Sequence, residues 1–279
     1  MTNVSLAGGL HVRARWADGC LNDWRVDLHR PPVAKALVGL APDEALSRIP
    51  MYYSLCAHAQ REAGRLALLA AGRATEAPVA AWQLWAECLH EHLWRLLLDW
   101  PRCLGVAPQT AAFAGWRSVR GHGRAALVAA TARVLDETFG GDGSGGLLEA
   151  GLSRLDADGA SALRTGLDAR LTALRAALES LAADEVYPHG STGQPGAGQG
   201  EAWIHTARGA LRHELRLDGG RIAGWRVEAP TDRNFASETG IVKLLPASLP
   251  TRAAAQEAVE RAVLLLDPCV AYEVEIADA

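Results

Sequence analysis

Two cysteines carry the chemistry most worth following in this chain. Cys269 stands near the C-terminal end in Leu266-Asp267-Pro268-Cys269-Val270-Ala271-Tyr272-Glu273-Val274-Glu275, and Cys56 lies far upstream in Tyr52-Tyr53-Ser54-Leu55-Cys56-Ala57-His58-Ala59-Gln60. A thiolate is a soft metal ligand, and the Asp-Pro step ahead of Cys269 fixes the backbone that presents it. The ordinary alternative for either residue is a small buried hydrophobe. The chain has 5 cysteines in all, Cys20, Cys56, Cys88, Cys103 and Cys269, widely spaced and without a Cys-x-x-Cys pair. That pattern fits neither a secreted disulfide framework nor a structural zinc site, which wants four ligands in paired spacing. Cys20 reads as an incidental surface thiol, and Cys88 and Cys103 as core or near-core thiols.

Other chemistry-bearing residues are weaker candidates. His90 and His92 lie two apart, on different faces of a helix, and so make a poor metal pair. His122, in Gly121-His122-Gly123, has no companion ligand. The run Gly140-Gly141-Asp142-Gly143-Ser144-Gly145-Gly146 is not followed by Gly-Lys-Ser/Thr and is not preceded by a strand, so it reads as a helix connection and not as a phosphate loop.

The elements that must position the two thiols follow from periodicity. Leu10, Val12, Ala14 and Trp16 alternate, Asp18-Gly19 turns the chain, and Trp24, Val26 and Leu28 alternate again, which predicts a β-hairpin over 9–28. Arg30-Pro31-Pro32 ends it. A helical region over 33–185 follows. Within it Ser54 or a neighbour is a candidate cap for a helix beginning near Cys56, where the helix dipole would favour a thiolate. Thr75 with Pro78 reads as the start of a longer helix and Pro101 as its stop. Residues 188–200 read as a flexible linker. Leu211, His213, Leu215 and Leu217, a turn at Asp218-Gly219-Gly220, then Ile222, Trp225 and Val227 predict a second hairpin that echoes the first. An isolated hairpin is marginal, so the two are expected to share one small antiparallel sheet, which would bring the chain ends together. Thr251 caps a final helix that runs to Leu266 and is ended by Pro268. The expectation is a single domain over 1–279, α+β and mostly helical, a central helix bundle with that small sheet.

Composition narrows the function classes. At 279 residues, 49% hydrophobic and a formal net charge of −4, the chain can bury a substantial core but offers no clustered basic face for nucleic acid. Its apolar runs are short and interrupted by charge, which argues against a membrane span. The N-terminal Met1-Thr2-Asn3-Val4-Ser5 lacks the pattern of a secretory signal, so a cytoplasmic location is expected.

Three segments together resemble the large subunit of nickel–iron hydrogenases. Glu201-Ala202-Trp203-Ile204-His205-Thr206-Ala207-Arg208-Gly209-Ala210-Leu211-Arg212-His213, continued by Ala229-Pro230-Thr231-Asp232-Arg233-Asn234, is similar to that family's Glu-x-x-Arg-Gly-Ala-Leu-x-His block and its Pro-Thr-x-x-Asn continuation. Asp267-Pro268-Cys269-x-x-Tyr272-x-x-Glu275 resembles Asp-Pro-Cys-x-x-Cys-x-x-His, and Tyr53-x-x-Cys56-x-x-x-Gln60 sits where the family has Cys-x-x-Cys-x-x-x-His. The resemblance covers roughly residues 8–60 and 201–279 and implies a large-subunit-like fold.

The departures shape what the resemblance implies. In the family four cysteines hold nickel, and two of them bridge to an iron carrying cyanide and carbon monoxide. Here Tyr53 and Tyr272 replace two of the four, so only Cys56 and Cys269 remain and no nickel is expected. The family's glutamate in an Arg-Gly-x-Glu block is also missing, since that region reads Arg30-Pro31-Pro32-Val33-Ala34. The sequence ends four residues after Glu275, so the extension removed once nickel is inserted is expected to be lacking. The pattern most resembles the HupK/HoxV-type assembly proteins. It implies a non-catalytic scaffold, not an enzyme, that transiently holds or builds the iron with its cyanide and carbon monoxide ligands. Cys56 and Cys269 would be its metal ligands; Arg208 matches the family arginine beside the diatomic ligands, where it would donate to cyanide nitrogen, and Asp267 matches a carboxylate that supports the ligands from behind. The implied partners are the maturation proteins that build the fragment and the hydrogenase large subunit. Two alternatives stay open: a metal-free mimic of the large subunit that binds maturation proteins, and a divergent redox enzyme.

Overall fold

A computed structural model describes residues 8–53, 55–140, 148–153, 155 and 157–279. The candidate cap Ser54 and the glycine-rich 141–146 lie outside the described residues. In chain order the elements are β1 (Gly9–Ala17), β2 (Cys20–His29), α1 (Val33–Leu37), α2 (Pro42–Tyr52), α3 (Ala57–Ala70), α4 (Ala81–Trp94), a π-helical turn (Arg95–Asp99), α5 (Trp100–Cys103), α6 (Thr110–Val119), α7 (Arg124–Phe139), α8 (Glu149–Leu152), α9 (Ala157–Ala182), β3 (His189–Gln194), β4 (Gln199–Thr206), β5 (Gly209–Asp218), β6 (Arg221–Glu228), α10 (Pro230–Asn234), α11 (Thr239–Val242), α12 (Arg252–Leu266) and β7 (Tyr272–Asp278). The α+β, mostly helical class is the one the sequence predicts. Among the described residues no helix is long and apolar enough to cross a membrane. The chain divides into two compact units, one of residues 1–30, 89–179 and 234–279, the other of 31–88 and 180–233.

In the first unit, the alternation of Leu10, Val12 and Ala14 puts three fully or nearly buried side chains on one face of β1, against Val259, Ala262 and Val263 of α12. The sheet order is β2-β1-β7, with β1–β2 antiparallel and β1–β7 parallel. β7 was not read from the sequence, although Tyr272, Val274 and Ile276 alternate there. It is an edge strand whose spare polar groups are taken up by α12: the Gln256 amide donates to Val274 O at 2.8 Å and accepts from the Ile276 N–H at 3.0 Å. Thr251 caps α12 as expected, its hydroxyl accepting the Ala254 N–H at 3.1 Å.

In the second unit β3-β4-β5-β6 form an antiparallel sheet with α3 packed on β4 and β5. The two predicted hairpins therefore do not share a sheet. The partner of the N-terminal hairpin is the C-terminal strand β7, and the partner of β5–β6 is β4. Segments near the two ends of the chain still meet, through β1 and β7.

The expected flexible linker at 188–200 is instead β3, a short 3-10 turn at Pro195–Ala197 and the start of β4. Its glycines serve close approach. A Cβ at Gly193 would lie 2.1 Å from Ala70 O, and one at Gly200 would lie 1.9 Å from Ala67 O, so the sheet can lie against α3 only without side chains there.

The long central helix also differs at both ends. Residues 75–80 are not helical: Thr75 accepts from Arg65, and the Val79 N–H is drawn to Glu62 Oε2 at 3.0 Å. Pro101 does not stop the chain's helical course. The π-helical turn shifts the register, and Pro101 falls in the first turn of α5, where its missing N–H is tolerated. The Leu97 carbonyl that residue 101 would have satisfied accepts the Gln109 N–H at 2.8 Å.

Candidate functional site

The four residues singled out by the sequence fall two in each unit. Asp267 and Cys269 belong to the first, Cys56 and Arg208 to the second.

In the first unit α12 ends in a left-handed residue, Asp267 at φ 54°, whose N–H returns to Val263 O and Leu264 O. Asn234 caps the same helix end, donating from Nδ2 to Leu266 O at 3.0 Å, so the Pro-Thr-x-x-Asn segment has a visible task. Asp267 is 3% exposed and its side chain is clasped from two sides: Arg95 Nε donates to Oδ1 at 2.6 Å, and Arg170 donates to Oδ2 at 2.7 Å. Arg95 also donates to Pro268 O at 2.5 Å and pairs with Asp99 one turn along. The π-helical turn opens at Arg95, so the local irregularity of the helix and the aim of this guanidinium coincide. Arg170 further meets His92 Nδ1 at 3.5 Å, which gives His92 an arginine partner. Charge-assisted bonds of this kind hold geometry closely, and here they hold the Asp267-Pro268 step that presents Cys269. The half-buried Cys269 sulfur accepts from the Arg30 guanidinium at 3.3 Å. Tyr272, just beyond, keeps its phenol protonated: burial pushes its pKa up to about 12, against a smaller opposing effect of Arg95.

In the second unit Cys56 occupies the position just before α3 and is half-buried. The helix-dipole argument for its thiolate needs correction. The first N–H groups of α3 are answered by Glu87 of α4, which accepts from the His58 and Ala59 N–H groups at 2.7 and 2.9 Å and meets His58 Nδ1 at 2.9 Å. The positive end of the helix is thus met by a carboxylate. The sulfur instead accepts from Gln60 Nε2 at 3.7 Å. Gln60 Oε1 lies 2.8 Å from His213 Nε2, and Trp225 Nε1 donates to His213 Nδ1 at 3.2 Å. Burial pushes the His213 pKa down to about 3. Arg208 sits half-buried in the turn between β4 and β5, its N–H donated to Thr206 Oγ1 at 3.3 Å while that hydroxyl donates to Gly209 O at 2.7 Å.

The remaining thiols behave as read. Cys20 is exposed and Cys88 is buried, while Cys103 is half-buried with a thiol pushed up to about 11 mainly by burial. Among the described residues no group of three or more His, Cys, Asp and Glu side chains is placed to hold a metal ion.

Comparison with known proteins bears directly on this arrangement. No protein-family model matches the chain. It is 29% identical to hydrogenase expression/formation protein HupK of Azotobacter vinelandii, over 98% of this chain and 100% of that one. It is 28% identical to hydrogenase expression/formation protein HupV of Azotobacter chroococcum mcd 1, over the same shares. A shorter stretch, 29% of this chain and 23% of the relative, is 38% identical to HoxV of Cupriavidus necator. The chain is a relative of the HupK/HoxV hydrogenase expression/formation proteins. Its fold is that of hydrogenase large subunits: it aligns with the NAD+-reducing [NiFe]-hydrogenase in the H2-reduced state at a TM-score of 0.56 and 16% identity, over 91% of this chain and 94% of that one. The Ni-Fe-Se hydrogenase from D. vulgaris Hildenborough gives 0.54 and 11% identity over the same shares. In this HupK/HoxV relative, Arg30 touches the Cys269 sulfur, Gln60 touches the Cys56 sulfur, and His213 supports the Gln60 contact.

Proposed function

We propose that this protein is a scaffold in nickel–iron hydrogenase maturation that holds the iron fragment, iron with its cyanide and carbon monoxide ligands, as cargo before transfer to the large subunit. The thiolates of Cys269 and Cys56 are its ligands, and no nickel is taken. The observation that carries this reading is the built turn at Cys269: an Asp-Pro-Cys step clasped by the buried Arg95 and the half-buried Arg170, with a third guanidinium 3.3 Å from the sulfur. An iron that arrives with diatomic ligands needs few protein donors, and soft thiolates suit it. Arg30 at the sulfur supplies positive charge and N–H donors for a metal-bound thiolate. Arg208 is the residue proposed to donate to cyanide nitrogen, as its motif position implies. Fewer thiolates than the four of a large subunit make onward transfer downhill. The names of the relatives support a place in hydrogenase formation, and the two tyrosines, Tyr53 and Tyr272, support a non-catalytic role.

The test is genetic and biochemical together. In a host lacking its own copy, Cys56→Ala and Cys269→Ala should each abolish hydrogenase maturation while the variant still co-purifies with the maturation proteins. A metal-free interaction role, which Tyr53 and Tyr272 also favour, predicts normal maturation by both variants, and that outcome would sink the scaffold reading.

A further inference from the structure

The contacts around Cys56 have a direction that donor and acceptor chemistry alone fixes. An indole Nε1 can only donate. Trp225 Nε1 lies 3.2 Å from His213 Nδ1, so Nδ1 must be the acceptor nitrogen. A neutral imidazole then carries its proton on Nε2, and this N–H points at Gln60, 2.8 Å away, so the nearer Gln60 atom must be the amide oxygen. With the oxygen held there, the amide nitrogen faces the Cys56 sulfur at 3.7 Å. Gln60 and His213 are 2% and 1% exposed, so water does not compete for these groups. Burial, which pushes the His213 pKa down to about 3, keeps the ring neutral and the direction constant at ordinary pH.

The framework that aligns the three side chains lies within one compact unit. Gln60 follows Cys56 by one helical turn, with its backbone N–H on Cys56 O at 2.9 Å. His213 and Trp225 stand on the paired strands β5 and β6, ring centroids 5.8 Å apart in an edge-on arrangement. Gly64 of α3 makes room for the indole: a Cβ there would lie 2.8 Å from the Trp225 ring.

We propose that Trp225 and His213 are positioning residues for Cys56: Trp225 fixes the tautomer of His213, His213 fixes the orientation of the Gln60 amide, and Gln60 thereby presents an N–H, and not a carbonyl oxygen, to the sulfur. A sulfur that meets an N–H keeps a stabilised lone pair for ligation, whereas a carbonyl oxygen in its place would repel it. The arrangement has a non-local consequence. With Trp225→Phe the other tautomer of His213 becomes available, its Nε2 can accept, and the Gln60 amide can turn over to put Oε1 against the sulfur.

The inference deepens the reading of Cys56 as an iron ligand. Its test needs no iron, so its failure is distinguishable from failure of that reading. Long-range proton–nitrogen spectra of the full chain labelled with 15N-histidine should show His213 as the Nε2–H tautomer in the wild type, with the Nδ1–H form gaining ground in Trp225→Phe. Site-resolved alkylation with iodoacetamide at one fixed pH should slow at Cys56 by roughly 2- to 10-fold in Trp225→Phe and in Gln60→Glu, the range expected for losing one modest hydrogen bond. Gln60→Glu keeps the shape and accepts from His213 but has no N–H for the sulfur. Cys88, buried in the same unit, reports unfolding, and the Gln60→Glu result and the wild-type spectrum stand even if Trp225→Phe exposes it. An Nδ1–H tautomer in the wild type overturns the proposal, and so does an unchanged Cys56 rate in Gln60→Glu with Cys88 still protected.

Discussion

Replacing Asp267 by Asn isolates the charge at the centre of the Cys269 turn. Asn tolerates the left-handed backbone that Asp267 adopts at φ 54°, and it nearly matches Asp in volume, so strain and packing change little. What changes is one buried negative charge. Each carboxylate oxygen accepts a guanidinium N–H, from Arg95 at 2.6 Å and from Arg170 at 2.7 Å. Hydrogen bonds to charged groups are worth about 1.5–3 kcal/mol each, which gives about 3–6 kcal/mol for the two. Leaving a partner charge buried and uncompensated costs about 3–5 kcal/mol by a separate route. The two estimates overlap, so Asp267→Asn is expected to lose about 3–5 kcal/mol of unfolding free energy. The Asn amide would in addition turn its own N–H groups toward an arginine. Urea unfolding followed by tryptophan fluorescence should show a lower midpoint at unchanged slope. The double variant Asp267→Asn with Arg170→Gln should recover part of the loss, because it removes the stranded cation. A cost below about 1 kcal/mol, or no recovery in the double variant, would refute the claim that this charge cluster holds the turn.

The pH dependence of stability follows from His213. Its pKa is pushed down to about 3 in the fold, against 6.5 for the ordinary side chain, so the unfolded chain binds the extra proton. The stability it supports is full above about pH 6.5 and is lost as pH falls from there toward 3, at up to roughly 1.4 kcal/mol per pH unit from this residue. In urea unfolding at several pH values, His213→Gln should show a shallower slope below about pH 6, and an unchanged slope would contradict the assignment. Glu87→Gln should cost about 1–2 kcal/mol, because it weakens the carboxylate that answers the first N–H groups of α3; thermal unfolding measures it, and a neutral result would mean that water replaces the carboxylate freely. Gly200→Ala should destabilise by roughly 1–3 kcal/mol or more, since its Cβ would sit 1.9 Å from Ala67 O. Gly224→Ala, with nothing within 4 Å of the added Cβ, serves as its control in the same assay.

How much of this was legible in the sequence depended on whether the signal was local. The alternation in β1, β2, β5 and β6 and the Thr251 cap are local, and each appears where the pattern placed it. Strand partners are not local. β1 pairs in parallel with β7, more than 250 positions away, while the marginal stability of an isolated hairpin suggested a sheet shared by the two hairpins that the fold does not make. Residues 188–200 misled because glycine marks flexibility and close backbone approach alike, and only the position of α3 tells which applies. Pro101 misled because a π-helical turn, invisible in composition, changed its place in the helical register. At the candidate site, Gln60, His213, Asp267 and Asn234 were marked by their motifs. Arg95 and Arg170 were two arginines among leucines and alanines, and their separations from Asp267, 172 and 97 positions, leave no local trace. Arg30 was noticed only as a departure from the Arg-Gly-x-Glu block, and its task at the Cys269 sulfur follows from the fold.

The proposed function has this protein carry the iron fragment on Cys56 and Cys269. It is tested most directly by infrared spectroscopy and iron analysis of the protein purified after co-production with the hydrogenase maturation proteins. The expected result is about one iron per chain, no nickel, and cyanide and carbon monoxide stretching bands in the wild type that vanish in Cys56→Ala and Cys269→Ala but persist in Cys20→Ala. Wild-type protein with neither iron nor diatomic bands, or bands that survive the loss of both site cysteines, would contradict it.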